Sequence, residues 1–121
     1  MNNDLLASNS NTASGNLNRL AHDVSPSVRR HVAENPHTTI ATLLDLIHDA
    51  DSTVRYSTFG NPHLPEGAVE SLARDSDPDV RYRLASDSNV PLHILNHLAQ
   101  DENPYVAFRA KTTLRRLLGT S

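Results

Sequence analysis

Apolar and polar positions along the 121-residue chain recur with a period of 26. Leu20, Leu46, Leu72 and Leu98 stand 26 apart, and so do Val28, Val54, Val80 and Val106. Leu43 is followed at the same step by Val69 and Leu95. Polar columns keep the register: Asp23, Asp49, Asp75 and Asp101; Arg29, Arg55 and Arg81, with Ala107 in the last unit; Asn35 and Asn61, then Asp87. None of these columns needs a gap. A fixed period of this kind marks a repeat architecture in which each unit is one supersecondary motif.

Punctuation within the unit predicts two helices. Ser25, Asp51, Asp77 and Asn103 form a column of strong N-cap residue types. The next column, Pro26, Ser52, Pro78 and Pro104, suits a first helical position. Val28 with Val32, and Val80 with Leu84, then take helical spacing. This helix is expected to stop near Asn35-Pro36, Gly60-Asn61-Pro62 and Asp87-Ser88. A second helix starts at Thr39, Pro65 and Pro91 and runs to about His48, Arg74 and Gln100. Its inward residues are Leu43 and Leu46, Val69 and Leu72, Leu95 and Leu98. Helices of about two to three turns do not persist alone in water, so stacking must stabilise them.

The same phase extends to both ends. Leu6-Ala7-Ser8-Asn9 aligns with Leu84-Ala85-Ser86-Asp87, and Leu17 with Leu43, so residues 4–19 read as a degenerate N-terminal cap. Residues 20–45, 46–71 and 72–97 are the repeats, and 98–121 a capping unit. Its first helix lacks the Asn-Pro stop and is expected to continue through Leu114, Leu117 and Leu118 to Gly119, with Lys111, Arg115 and Arg116 on its outer face. The expectation is one all-α domain over residues 1–121, an α-solenoid of about four helix pairs.

These residues carry a family resemblance. The pattern Leu-Ala-x-Asp-x-x-Pro-x-Val-Arg, an alanine, then Asn-Pro-x-x-Pro and a second leucine-rich helix, resembles the leucine-rich repeat variant. Its best copy runs from Leu72-Ala73-Arg74-Asp75 to Leu98, and the likeness covers residues 20–114 clearly and 4–19 weakly. The resemblance implies an all-helical, right-handed superhelix close to HEAT repeats. Some members carry an iron–sulfur module, which this cysteine-free chain cannot ligate. The family has no single function, so the resemblance implies architecture only.

Composition agrees with a stack. Hydrophobic content of 37% and aromatic content of 4% would make a thin round core, whereas each layer of a linear stack buries only a stripe. Without cysteine there are no disulfides, thiolate metal sites or cysteine nucleophiles. Met1-Asn2-Asn3-Asp4 has neither the basic nor the apolar region of a signal peptide. No apolar run approaches the roughly 18–20 residues that span a bilayer. A soluble, cytoplasmic protein with no membrane partner is expected. The net charge of −3 argues against a generic nucleic-acid binder. Ten of the eleven basic residues are arginine, whose planar fork suits fixed hydrogen-bonded geometry.

Candidate chemistry lies in three places. The pairs Asp23 and Arg29, Asp49 and Arg55, Asp75 and Arg81 are expected to form a ladder, each Arg bridging to the next unit's Asp. An arginine row for phosphate or carboxylate is the alternative, but the acidic columns beside it would repel such a ligand. The column Arg30, Tyr56, Tyr82 and Phe108, together with Arg83 and Arg109, offers a partner-binding stripe, because Tyr and Arg are favoured in binding hot spots. Those rings could instead seal the adjacent repeat, or stack on single-stranded bases. His93 and His97 stand at a zinc-binding spacing with no third ligand nearby, and His37 and His63 lie in turns about a layer apart. His22 and His48 share a column at the end of the second helix, where its terminal carbonyls could use them. No metal and no cofactor is therefore expected.

Phosphate-loop, dinucleotide, nucleophile-elbow and zinc-protease signatures are absent from the sequence. Repeating Asp and Glu serve a scaffold, because a catalytic residue is needed once. The non-repeating residues His93, His97, Arg83, Leu44 and Glu70 are the better candidates for function. The resulting expectation is a non-enzymatic protein-interaction module, monomeric or weakly dimeric. The alternative is a nucleic-acid binder using the Arg/Tyr stripe.

Overall fold

The protein is described by a computed structural model over residues 2–119. Regular structure among the described residues is entirely helical. In chain order the helices are α1 (Asn3–Ser8), α2 (Ser14–Leu20), α3 (Pro26–Glu34), α4 (Ile40–Leu46), α5 (Ser52–Ser57), a 3₁₀ turn (Thr58–Gly60), α6 (Glu66–Leu72), α7 (Pro78–Ala85), α8 (Leu92–Leu98) and α9 (Pro104–Leu118). None is long and apolar enough to cross a membrane. The chain groups into two compact units, Met1–Ala68 and Val69–Ser121, with the division falling inside α6.

In the first unit α3 packs against both α1 and α5. Ala7, Leu17, Leu20, Ala21, Val28, Val32, Ala33, Leu46 and Val54 form one buried cluster, with Leu6 packed against it. Alanine at Ala7 and Ala33 lets the helix backbones approach, and the leucines and valines fill the space between the helices. In the second unit α9 packs against α7 and α8. There Val80, Leu84, Ala85, Leu95, Leu98, Val106 and Ala110 are buried.

Helix starts follow local chemistry. The side chains of Asp51, Asp77 and Asn103 each accept a hydrogen bond from a backbone N–H in the first turn, and Thr39 does the same for Thr42. Ser25 occupies the equivalent backbone position without a side-chain cap bond. The turn before each of these helices is closed by the aspartate column. Asp23, Asp49, Asp75 and Asp101 each accept, through Oδ1, the N–H two residues on, at 2.8–2.9 Å.

Helix ends depart from the sequence expectation in two ways. The second helix of each pair ends as α-helix at Leu46, Leu72 and Leu98, two residues early. The following N–H groups bond three residues back, His48 to Asp45 at 3.1 Å and Gln100 to His97 at 3.0 Å, which tightens the last turn. Helix α5 stops at Ser57 and is followed by a 3₁₀ turn. Thr58 occupies the fully buried position held by Val32 and Leu84 elsewhere. Its hydroxyl must find an acceptor, and takes the Arg55 carbonyl at 2.7 Å. Phe59, in the alanine column, is left half-buried with its ring 6.3 Å from that of Tyr56. By contrast α9 runs unbroken to Leu118, because Thr113-Leu114 replaces the Asn-Pro stop, and Gly119 ends it in the left-handed conformation at φ 69°.

Candidate functional site

Several charged side chains are engaged in bonds between successive helix pairs within a unit. Arg29 places its fork on Asp49, Nε to Oδ2 at 2.8 Å and Nη2 to Oδ1 at 3.1 Å, while Nη1 donates to the Asp23 carbonyl at 2.7 Å. Arg81 repeats this in the second unit, with Asp101 at 2.9 and 3.4 Å and the Asp75 carbonyl at 2.6 Å. Arg55 donates to the Asp49 carbonyl at 2.8 Å. The hydrogen bond to Asp49 holds the Arg29 pKa above its ordinary value. Partial burial opposes that shift, and the charges of Asp49, Asp51 and Asp23 add to it. The carboxylate occupies the Nε/Nη2 edge of the guanidinium and the carbonyl takes a third of its five donors, so that edge is closed to a ligand's phosphate.

Two further rows of bonds are invisible in the charge pattern. Asn3 takes the arginine's place in the first layer and donates to Asp23 Oδ2 at 2.9 Å, across the same 20-residue separation. Asn35 and Asn61 are both buried. Asn35 Nδ2 donates to the carbonyls of Ala7 and Asn9 at 2.8 and 2.9 Å. Asn61 Nδ2 donates to those of Ala33 and Asn35 at 3.0 and 2.8 Å. Their Oδ1 atoms accept the N–H of His37 and His63. In the second unit Thr113 stands in this column, and its hydroxyl donates to the Ala85 carbonyl at 2.6 Å.

The expected partner-binding residues fall in both units and differ in exposure. Tyr56 belongs to the first unit and is half-buried beside Phe59. Arg109 is half-buried, and its Nε donates to Ser86 Oγ at 3.1 Å. Arg83 is exposed. Tyr82 and Phe108 keep 41% and 67% of their surface exposed, and Tyr105 keeps 77%. Three of the chain's five aromatic residues thus face water on α7 and α9 of one unit. Tyr82 and Tyr105 line one open groove with Pro78, Asp79, Asn103 and Val106. Phe108 follows Tyr105 by three residues on α9, and so shares its face. Tyr105 escaped the sequence reading because its column otherwise holds Ser27, Thr53 and Asp79, so nothing repeats there. Its lack of a repeat was the available signal.

The histidines divide similarly. His93 Nε2 lies 3.3 Å from Glu70 Oε1 on an exposed face, and both line an open pocket with Ala73, Arg74, Ile94 and His97. No group of three His, Cys, Asp or Glu side chains among the described residues is placed to hold a metal ion. His37 Nδ1 lies 3.3 Å from the Thr12 carbonyl, and His31 Nε2 lies 3.8 Å from Asp4 Oδ1.

Compared with known proteins, the chain matches no family model, no curated protein and no solved structure.

Proposed function

We propose that the chain is a non-enzymatic protein-interaction module. In this reading its helix pairs form a right-handed α-solenoid of about four layers, of the leucine-rich-repeat-variant or HEAT-like kind, in the cytoplasm. The ungapped 26-residue period supports the solenoid, as do bonds that recur at fixed separations inside the first unit: Asn3 to Asp23 and Arg29 to Asp49, Asn35 to Ala7 and Asn61 to Ala33. Repeated charged columns spent on such bonds belong to a scaffold.

The observation that carries the interaction reading is the exposed trio of Tyr82, Tyr105 and Phe108. Aromatic rings left in water by a protein with so few of them are surface reserved for a partner. A nucleic acid could stack on the same rings, but Asp77 and Asp79 at the start of α7 would repel its phosphates.

Affinity capture from the native host, with the wild-type chain and with Tyr82, Tyr105 and Phe108 all changed to Ala, tests the reading. Proteins retained by the wild type and lost by the triple variant are expected. An unchanged set of retained proteins overturns the assignment to this surface. A mobility shift with oligonucleotides at low salt, lost in the triple variant, favours nucleic acid instead.

A further inference from the structure

We propose that the groove between α7 and α9 binds a proline-rich segment flanked by an arginine or lysine. This rests on the interaction reading above and names the partner's chemistry. The groove is lined by Pro78, Asp79, Tyr82, Asn103, Tyr105 and Val106, all within the second unit.

Its hydrogen-bonding character is lopsided. Neither the Tyr82 nor the Tyr105 hydroxyl has a hydrogen-bond partner among the described residues. Asn103 spends Oδ1 on the N–H groups of Tyr105 and Val106, which fixes the side chain, and its Nδ2 hydrogens have no partner among the described residues. The groove therefore offers three sets of donors directed by held or semi-rigid groups. A proline-rich chain is the complementary peptide. It presents carbonyls that no internal hydrogen bond consumes, and its prolines have no N–H to leave unsatisfied against such a surface.

Shape points the same way. Polyproline II segments seat their rings between aromatic side chains, and here Tyr82, Tyr105 and Pro78 supply flat apolar walls. A partner helix would need a longer apolar trough than two rings with Asp79 and Asn103 between them. A partner strand needs a sheet edge, and the described residues contain no strand.

Charge selects the flank. Among the described residues the Asp79 carboxylate takes no hydrogen bond, while its backbone N–H donates to Asp77 Oδ1 at 2.8 Å. A carboxylate at the groove favours a cation beside the prolines and disfavours an acidic flank.

The test is a titration of the full chain with three synthetic ten-residue peptides, followed by backbone amide shifts and by anisotropy of a labelled peptide. One is proline-rich with a terminal Arg, one has Glu in place of that Arg, and one is the first with its prolines replaced by Gly and Ser. The Arg peptide is expected to bind, with shifts centred on residues 78–82 and 103–108. The Glu peptide is expected to bind about tenfold more weakly, and the Gly/Ser peptide not to bind. Tyr105→Ala should weaken the Arg peptide by about tenfold or more. Asp79→Arg should reverse the preference between the Arg and Glu peptides. Unchanged circular dichroism of each variant keeps the reading clear of misfolding.

No binding of the Arg peptide at millimolar concentration, or binding indifferent to Tyr105→Ala, overturns the proposal. If that occurs while captured proteins are still lost by the triple aromatic variant, the groove assignment fails and the interaction reading stands. Steeply salt-dependent binding of an oligothymidine to the same residues, with no peptide binding, overturns both.

Discussion

Asn61 donates a side-chain hydrogen to the Asn35 carbonyl at 2.8 Å, and Asn35 stands in the same relation to Asn9 at 2.9 Å. Each asparagine closes its own turn with Oδ1 and reaches carbonyls 26 and 28 residues earlier with Nδ2, so one buried amide joins two distant turns of the chain. Removing it leaves the Ala33 and Asn35 carbonyls and the His63 N–H without their partner. Asn61→Ala is expected to lower stability by about 3 kcal/mol, since each buried polar group left unpaired costs roughly 1–3 kcal/mol. Asn61→Asp should cost more, because a carboxylate cannot donate to carbonyls. Urea unfolding measures both, and a loss below about 0.5 kcal/mol would mean the row carries no load.

The arginine row makes a sharper chemical distinction. Arg81→Ala abandons the Asp101 carboxylate, only 7% exposed, together with the Asp75 carbonyl. A loss of about 3 kcal/mol is expected for stranding a partly buried charge. Arg81→Lys keeps the charge but not the fork, and should recover about half of that. Full recovery by Lys would show that charge alone matters and that the two-point geometry does not.

These two rows show what could be read in the sequence. Arg29 with Asp49 was legible because opposite charges recur in fixed columns, and their role follows from electrostatics alone. The asparagine row was seen only as a helix stop before proline; nothing local says that Asn35 and Asn61 are buried or which carbonyls face them. Asn3 was missed because a neutral residue in a degenerate unit does not resemble an arginine. The N-caps at Asp51, Asp77 and Asn103 were legible because capping is decided within four residues. The early end of α5 was not, because it depends on Thr58 being buried where other units hold Val32 and Leu84. For the candidate site, the column logic pointed to Tyr82 and Phe108 but also to Tyr56 and Arg109, which neighbours partly cover. Exposure is a property of packing, so the repeat pattern could not sort them.

Thr113 offers a smaller test in the second unit. Its buried hydroxyl bonds to the Ala85 carbonyl at 2.6 Å and also to the Arg109 carbonyl of its own helix at 3.1 Å. Thr113→Val keeps the shape and removes the donor. A loss of about 1–2 kcal/mol is expected from thermal or urea unfolding, reflecting the unpaired carbonyl rather than lost packing. Thr113→Ser should stay within about 1 kcal/mol of the wild type if the hydroxyl matters more than the methyl.

Val80 tests the layer logic itself. It is fully buried on α7, at the column shared with Val28, Val54 and Val106. Val80→Asp forces a carboxylate among apolar neighbours with no cation to meet it, which exceeds what the stability of a chain this small can absorb. Loss of the cooperative melting transition is expected in circular dichroism. A melting temperature within about two degrees of the wild type would place Val80 outside the core and undermine the column alignment.

The aromatic trio should behave in the opposite way. Tyr82, Tyr105 and Phe108 retain 41%, 77% and 67% of their surface in water, so truncating them removes little buried area. Tyr105 and Phe108 also lie within α9, where alanine is the better helix former by about 0.5 kcal/mol per residue. The two effects oppose one another, and the triple alanine variant is expected to unfold within about 1 kcal/mol of the wild type. Equal stability with lost binding would separate these rings from the scaffold. If the triple variant instead loses several kcal/mol, the rings are packing residues, and the observation on which the interaction surface rests is gone.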